Sequence, residues 1–405
     1  MDEARTEDEG KAPEALPGSE RPRNRHLFGP GRKRILALDG GGGGVRGAMT
    51  IGFLERLEEI VAEIEGRKTR LCDWFDLIGG TSTGAIIATG LALGYGAAEM
   101  REFYAQLGPR VFRKPFFRLT GWQAKFDSRR LLAELEAVIG ERHLDSEDLA
   151  TGLCLVLKRM DTGSAWILMN NPRSAFWETP ADNSFIGNRH LPLANLVRAS
   201  TAAPVFFDPE PIDIVAGAPP GLFVDGGLTP HNNPALILFL AATLQPYGLN
   251  WETGPDKLSI VSIGTGYYRS QLSWSEARRS RAIGLAIRSL MALGADTSQL
   301  IMTLMSWLGT TPQDQGYSPR WPINSELGDL AGVTPPTGPL FGFLRYDAAL
   351  EADWLSTHLG ETLSADELSG LRRMDDPAII PTVYRLGRKA AELQMRREHL
   401  AGPAA

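Results

Sequence analysis

The strongest chemical signal in this chain is Gly80-x-Ser82-x-Gly84. Phe75 to Gly79 reads as a short buried strand, and Ala85 to Ala88 opens an apolar helix. A serine on the turn between them projects its hydroxyl into the open, and small flanking residues leave room for a strained backbone. The free N–H groups and dipole of the helix favour negative charge there. Ser82 is therefore the candidate nucleophile, supported by Gly80 and Gly84; an ordinary glycine-rich turn is the plainer alternative. Far downstream, Leu222-Phe-Val-Asp225-Gly226-Gly227 reads as a strand ending in an acid and two glycines. A carboxylate held by a sheet end while its side chain reaches the opening suits a general base. A turn aspartate bonding its own backbone is the alternative.

A third feature follows the strand candidate Ile35 to Leu38. Asp39 leads into five consecutive glycines, Gly40 to Gly44, then Val45, Arg46 and Gly47. Such a run cannot sit inside a helix or strand, and its unhindered N–H groups can point at an anion. The spacing of Ile51, Leu54, Leu57, Ile60, Val61 and Ile64 predicts a helix directly after it. Two readings compete. One is a set of donors for the oxyanion of an acyl intermediate. The other is a dinucleotide phosphate loop, since Gly42-x-Gly44-x-x-Gly47 fits that fingerprint. The second needs an acid closing another strand about 20 residues on; Glu58 and Glu59 fall inside the predicted helix instead. Of the six histidines, His231 and His358 follow Asp225 in the order that an α/β-hydrolase triad requires. Neither sits in a loop that marks it as a base.

These residues need a scaffold. Apolar content of 43% and charge of 22% are ordinary for a globular chain, and 405 residues hold one large domain or two average ones. A net charge of −6 gives no case for nucleic-acid binding. Cys72 and Cys154 form neither a disulfide framework nor a zinc spacing and read as buried thiols of a reducing compartment. No secretory signal is visible, and the uncharged run Leu77 to Ala98 is too rich in Gly, Ser and Thr for a membrane span. Residues 1–33 have little to bury and are expected to be a disordered tail. Further strands are predicted at 153–157, 166–169, 222–225, 258–263 and 341–346. Helices are predicted at 97–107, 128–139, 191–200, 234–244 and 377–398, with a capping box at Ser364 to Glu367. The core is expected over 34–265, with 266–405 a mostly helical part packed on it or capping it. Two segments are candidates for a lipid interface: the basic and aromatic 110–126, and the apolar, Met-containing 283–308, read as a helical pair. For each, packing on the core is the commoner outcome. Residues 309–339 read as a long wrapping loop.

Taken together and in order, the glycine loop, Gly80-x-Ser82-x-Gly84 and Asp225-Gly226-Gly227 resemble the patatin-like phospholipases, over roughly residues 34–265. Ala202-Ala203-Pro204 and Asn232-Asn233-Pro234 resemble recurrent features of that family. The resemblance implies a three-layer α/β fold: a central, mostly parallel sheet flanked by helices, plus a helical C-terminal extension. It implies a dyad in place of a triad, with Ser82 as nucleophile and Asp225 as proton acceptor. Gly42, Gly43, Gly44, Arg46 and Gly47 match the oxyanion hole, with Gly226 and Gly227 as motif support. The implied reaction is hydrolysis of fatty-acyl esters of phospholipids or lysophospholipids through an acyl-enzyme, in lipid catabolism. The dyad needs no metal and no cofactor. A cytoplasmic protein with peripheral membrane contact and no nucleic-acid partner is expected. The family pattern has three glycines where this chain has five. Counting back from Arg46 matches Gly42 to Gly44, and counting forward from Asp39 matches Gly40 to Gly42. The first register keeps the loop fixed to the helix start. A competing expectation is a non-catalytic or ligand-gated membrane- or nucleotide-binding effector that has kept the fold. Some bacterial members of the family are switched on by a cyclic nucleotide, and no residue of this sequence decides that case.

Overall fold

The computed structural model describes residues 21–41, 44–112, 124–269, 282–312 and 320–401, with Trp274 and Arg278; within 282–291 it describes the side chains of Leu285 and Ser289. Its strands are β1 (Lys33–Leu38), β2 (Leu77–Thr81), β3 (Gly152–Arg159), β4 (Ala165–Met169), β5 (Glu210–Ile212), β6 (Gly221–Asp225), β7 (Leu258–Ile263), β8 (Gly309–Thr310) and β9 (Phe341–Tyr346). Its helices are α1 (Pro22–Phe28), α2 (Gly47–Glu65), α3 (Leu71–Trp74), α4 (Thr83–Ala92), α5 (Ala97–Val111), α6 (Ser128–Ile139), α7 (Leu193–Ser200), α8 (Ala235–Thr243), α9 (Ala282–Leu308), α10 (Ala352–Leu359), α11 (Ala365–Leu371), α12 (Ile380–Gln394) and α13 (Arg397–Ala401).

Alternation along the central strands decides the layering. β1 sends Leu36 and Leu38 to one face and Ile35 and Ala37 to the other. β7 divides Val261 and Ile263 from Leu258 and Ile260, and β9 divides Leu344 and Tyr346 from Phe341 and Phe343. Both faces are apolar, so both must be covered. α2, α4, α5, α6, α7 and α12 bury the first face; α1, α8 and the end of α9 bury the second. The result is the expected three-layer α/β fold.

The strand order is β5-β6-β3-β2-β1-β7-β9-β8, with β4 also paired to β3. β3, β2, β1, β7, β9 and β8 run parallel, while β4 and β6 pair antiparallel with β3, and β5 with β6. Of the parallel strands, β1, β2, β7 and β9 end at one edge, at Leu38, Thr81, Ile263 and Tyr346. In open α/β sheets this edge is where sites form.

Four expectations change. Residues 22–28, placed in a disordered tail, are helical; Leu27 is fully buried, and Arg21 and Arg23 pair with Asp145 at 2.9 and 3.1 Å. The part after 265 is no mere cap, because β9 joins β7 inside the sheet. The run 283–308 is one helix instead of a pair. The last helix breaks at Met395 and resumes at Arg397. The basic and aromatic segment folds its described ends inward: Phe126 is fully buried, edge-on to Phe112 at 5.2 Å. Residues 1–20 and 113–123 lie outside the described residues. Among the described residues no helix is long and apolar enough to cross a membrane. Cys72 and Cys154 are buried and free.

Candidate active site

Ser82 is the single residue between β2 and α4, and it stands at φ 52, ψ −121. A positive φ is unusual for a residue with a Cβ and costs about 1–3 kcal/mol, so the surroundings must hold it. They do so through Ser200, at the end of α7. The Ser82 N–H donates to Ser200 Oγ at 2.9 Å, and that hydroxyl donates to the Val156 carbonyl on β3 at 2.7 Å. The flanking glycines are required by close approach. A Cβ on Gly84 would lie 2.2 Å from the Leu38 carbonyl oxygen, and one on Gly80 would lie 2.1 Å from the Gly84 carbonyl oxygen. Both obstacles are backbone. Gly84→Ala is expected to lower stability by about 1–3 kcal/mol or more, read from the midpoint of urea unfolding.

Sheet register brings the acid to the serine. Thr81 pairs with Val156, and the next residue of β3, Leu157, pairs with Asp225. Asp225, 143 residues away in sequence, thus comes level with Ser82, and Ser82 Oγ donates to Asp225 Oδ2 at 2.6 Å. The second carboxylate oxygen accepts from the Gly227 N–H at 2.7 Å. Burial pushes Asp225 up to about 6, against the pull of the Ser82 hydroxyl, the Gly227 N–H and the Arg198 guanidinium. No imidazole lies between acid and serine. His231 Nδ1 is buried without a hydrogen-bond partner among the described residues, and His358 stacks on Trp354 in α10. Asp225 is bonded directly to Ser82.

The glycine loop leaves β1 toward this pair. Gly42 and Gly43 lie outside the described residues; the flanks on either side are held firmly. Gly40 N–H donates to the Asn232 carbonyl at 2.9 Å, Val45 N–H donates to the Met374 carbonyl at 3.0 Å, and Thr83 Oγ1 donates to the Gly44 carbonyl at 3.0 Å. Gly44 has φ 61. Behind the loop, Arg345 Nη2 donates to Asp39 Oδ2 and to Asp347 Oδ2, both at 2.7 Å, and Nη1 donates to Ser262 Oγ at 2.7 Å. Burial pushes Asp39 up to about 6 although Arg345 pulls it down. Arg46 is buried 5.5 Å from the centre of the Tyr268 ring, and its Nε and Nη1 have no hydrogen-bond partner among the described residues. Burial lowers its pKa, opposed by Tyr268 and Asp347. Gly47 begins α2 beside Thr83 and Tyr104.

Sequence reasoning brought together Ser82, Asp225 and their glycines. It missed Ser200, Arg198, Arg345 and Asp347, and it read Asn232 only as part of a helix cap. The one signal available for these was polar residues inside apolar runs, such as Arg345 in Phe341 to Tyr346.

The sequence matches known proteins. A model of the patatin-like phospholipases matches residues 40–239. A cGAMP-activated phospholipase of Vibrio cholerae serotype O1 is 34% identical over 218 residues, covering 50% of this chain and 56% of that protein. A cGAMP-activated phospholipase of Escherichia coli (strain TW11681) is 28% identical over 280 residues, covering 68% and 72%. A cUMP-AMP-activated phospholipase of Escherichia coli is 30% identical over 237 residues, covering 58% and 65%. The chain spans a little over half the length of the first of these relatives. Its match over residues 40–239 makes it a member of the patatin-like phospholipase family.

Proposed function

We propose that this chain hydrolyses fatty-acyl esters of phospholipids or lysophospholipids, with Ser82 as nucleophile and Asp225 as base. The observation that carries the reading is the 2.6 Å hydrogen bond from Ser82 Oγ to Asp225 Oδ2, made by a serine held at φ 52. Asp225 takes the hydroxyl proton as Oγ attacks the ester carbonyl carbon. The resulting oxyanion is stabilised by N–H groups of the loop from Gly42 to Gly44, at the N-terminal end of α2. The tetrahedral species collapses, and Asp225 returns the proton to the leaving alkoxide. The acyl group is then on Ser82. Water loses a proton to Asp225 and attacks the acyl-enzyme; the fatty acid leaves and the proton returns to Ser82.

A carboxylate works as base only when ionised. With Asp225 held at about 6, hydrolysis is expected to fall as pH drops through 6, read from the pH profile of kcat/KM. The names of the relatives support an extension: activity that rises when a cyclic dinucleotide binds.

The test is fatty-acid release from phospholipid vesicles, alongside labelling by a serine-reactive fluorophosphonate. Wild type and Ser82→Ala are compared with and without cGAMP. Label and release in the wild type, both lost in Ser82→Ala, are the expected result. Labelling without release under either condition would redirect the reading to another ester. No labelling of the wild type with or without cGAMP would favour a binding module that has kept the fold.

A further inference from the structure

The far end of the glycine loop is held by a pair of hydroxyls on α4 and α5. Thr83 is the first residue of α4 and directly follows Ser82. Its Oγ1 donates to the Gly44 carbonyl at 3.0 Å, and it is also hydrogen-bonded to the Tyr104 hydroxyl on α5. A carbonyl can only accept, so the one hydroxyl hydrogen of Thr83 goes to Gly44. Tyr104 is therefore the donor to Thr83. Tyr104 lies on the face of α5 that also buries Met100, Leu107 and Val111. A phenol hydroxyl in such an apolar layer needs a partner, and Thr83 supplies it. Burial pushes the phenol up, so it remains a donor throughout the neutral range.

The chain of bonds ends on one peptide unit. Gly44 supplies its C=O and Val45 its N–H, and that N–H donates to the Met374 carbonyl at 3.0 Å. A peptide unit is planar, so holding its oxygen and its hydrogen from two sides sets its plane. Gly44 stands at φ 61, and a Cβ there would lie 2.0 Å from the Met374 carbonyl oxygen, so the clasp is close. A run of glycines has no side chains to pack and is held by its backbone bonds alone. Gly47 shows the same clasp from the other side. A Cβ on it would lie 2.5 Å from the Tyr104 hydroxyl and 2.6 Å from Thr83 Oγ1. The side chain that Gly47 lacks would fill the place where the two hydroxyls meet.

We propose that Tyr104 is a positioning residue: through Thr83 it fixes the Gly44–Val45 peptide unit, and with it the end of the glycine loop, against the residue next to the nucleophile. Gly47 then belongs to the motif because it leaves room for the hydroxyl pair. Donors to an oxyanion act only when aimed at the place where charge develops. A misplacement of about 1 Å costs roughly 100-fold in rate. The effect on rate rests on the acyl-hydrolase reading; the hold on the loop does not.

The test compares Tyr104→Phe, Thr83→Val and Thr83→Ser in the full chain, with two readouts. Amide hydrogen exchange in peptides that contain Val45, read by mass spectrometry, reports the loop whether or not Ser82 reacts. It is expected to quicken in Tyr104→Phe and Thr83→Val and to stay near wild type in Thr83→Ser, with little change in melting temperature. Fatty-acid release from phospholipid vesicles, with and without cGAMP, gives the second readout. In Tyr104→Phe and Thr83→Val, kcat is expected to fall about 10- to 100-fold while KM stays within a few-fold, and Thr83→Ser should keep most of the rate. The variant carrying both Tyr104→Phe and Thr83→Val should be no slower than the slower single one, because the two hydroxyls act in series. Unchanged Val45 exchange or unchanged kcat in Tyr104→Phe would overturn the proposal. So would losses that add in the double variant, or faster exchange along the whole chain with a lowered melting temperature. A wild type that neither takes the fluorophosphonate label nor releases fatty acid, with Val45 exchange still quickened by Tyr104→Phe, would count against the hydrolase reading alone.

Discussion

Asp225→Asn is expected to leave the protein folded and to cut hydrolysis and fluorophosphonate labelling about 10³-fold. An amide cannot take the proton that Ser82 Oγ now offers to Oδ2 across 2.6 Å. Its own oxygen can still accept from the Gly227 N–H, so the turn after β6 survives. The same substitution should make the fold more stable at neutral pH. Burial raises Asp225 to about 6 in the folded protein, from an ordinary value of 3.8. The neutral acid is therefore favoured by folding. Its contribution to stability is fully present below pH 3.8 and is lost as pH rises through 6. Asparagine is neutral throughout and keeps it, a difference of up to about 3 kcal/mol at pH 8 that closes near pH 4. Thermal unfolding of both proteins at the two pH values reads this directly. His231→Ala and His358→Ala serve as controls and should change activity only a few-fold. Full activity in Asp225→Asn, or loss of several orders of magnitude in either histidine variant, would sink the dyad.

The largest stability loss is expected for Arg345→Met, about 3–5 kcal/mol. Arg345 is buried with two carboxylates at 2.7 Å and a serine hydroxyl at the same distance. Burial alone would make it a weaker base; Asp39 and Asp347 more than reverse that. Methionine fills much of the space but leaves two acids facing each other without a cation, and one must take a proton. Asp39 is already raised to about 6 with the arginine present, so removing it raises Asp39 further. The loss should be greatest at alkaline pH and relieved as pH falls. Asp39→Asn in the Arg345→Met background should recover part of it, read by urea unfolding across pH. Because Asp39 leads into the glycine loop, hydrolysis should fall at temperatures where the variant is still folded. A loss under about 1 kcal/mol would mean that water already reaches the cluster.

What the sequence made legible follows from the range of each contact. β7 and β9 stand out as short apolar runs interrupted only by Ser259, Ser262, Gly342 and Arg345, and the turn at Ser82 is marked by glycines two residues away on each side. β5 and β8 are too short to carry any alternation. α1 hides because its hold on the core is largely ionic, through Arg21 and Arg23 to Asp145, and polar composition reads as disorder. Ser200 is separated from Ser82 by 118 residues, and Arg345 from Asp39 by 306. No local pattern links such pairs; only the strand order does. The glycine loop was visible as a loop, but its anchors at Asn232 and Met374 come from opposite parts of the chain.

The position of β9 bears on how the molecule is made. During synthesis β1, β2, β3 and β7 leave the ribosome well before residues 341–346. Until then β7 presents a row of unpaired backbone groups to whatever strand comes near, its own neighbours on a polysome included. The Arg345 that steadies Asp39 arrives on that same late strand, and the Met374 carbonyl that takes the Val45 N–H arrives later still. The nascent chain thus carries Ser82 and Asp225 long before it can hold the loop beside them, and the loop waits for residues 345 and 374.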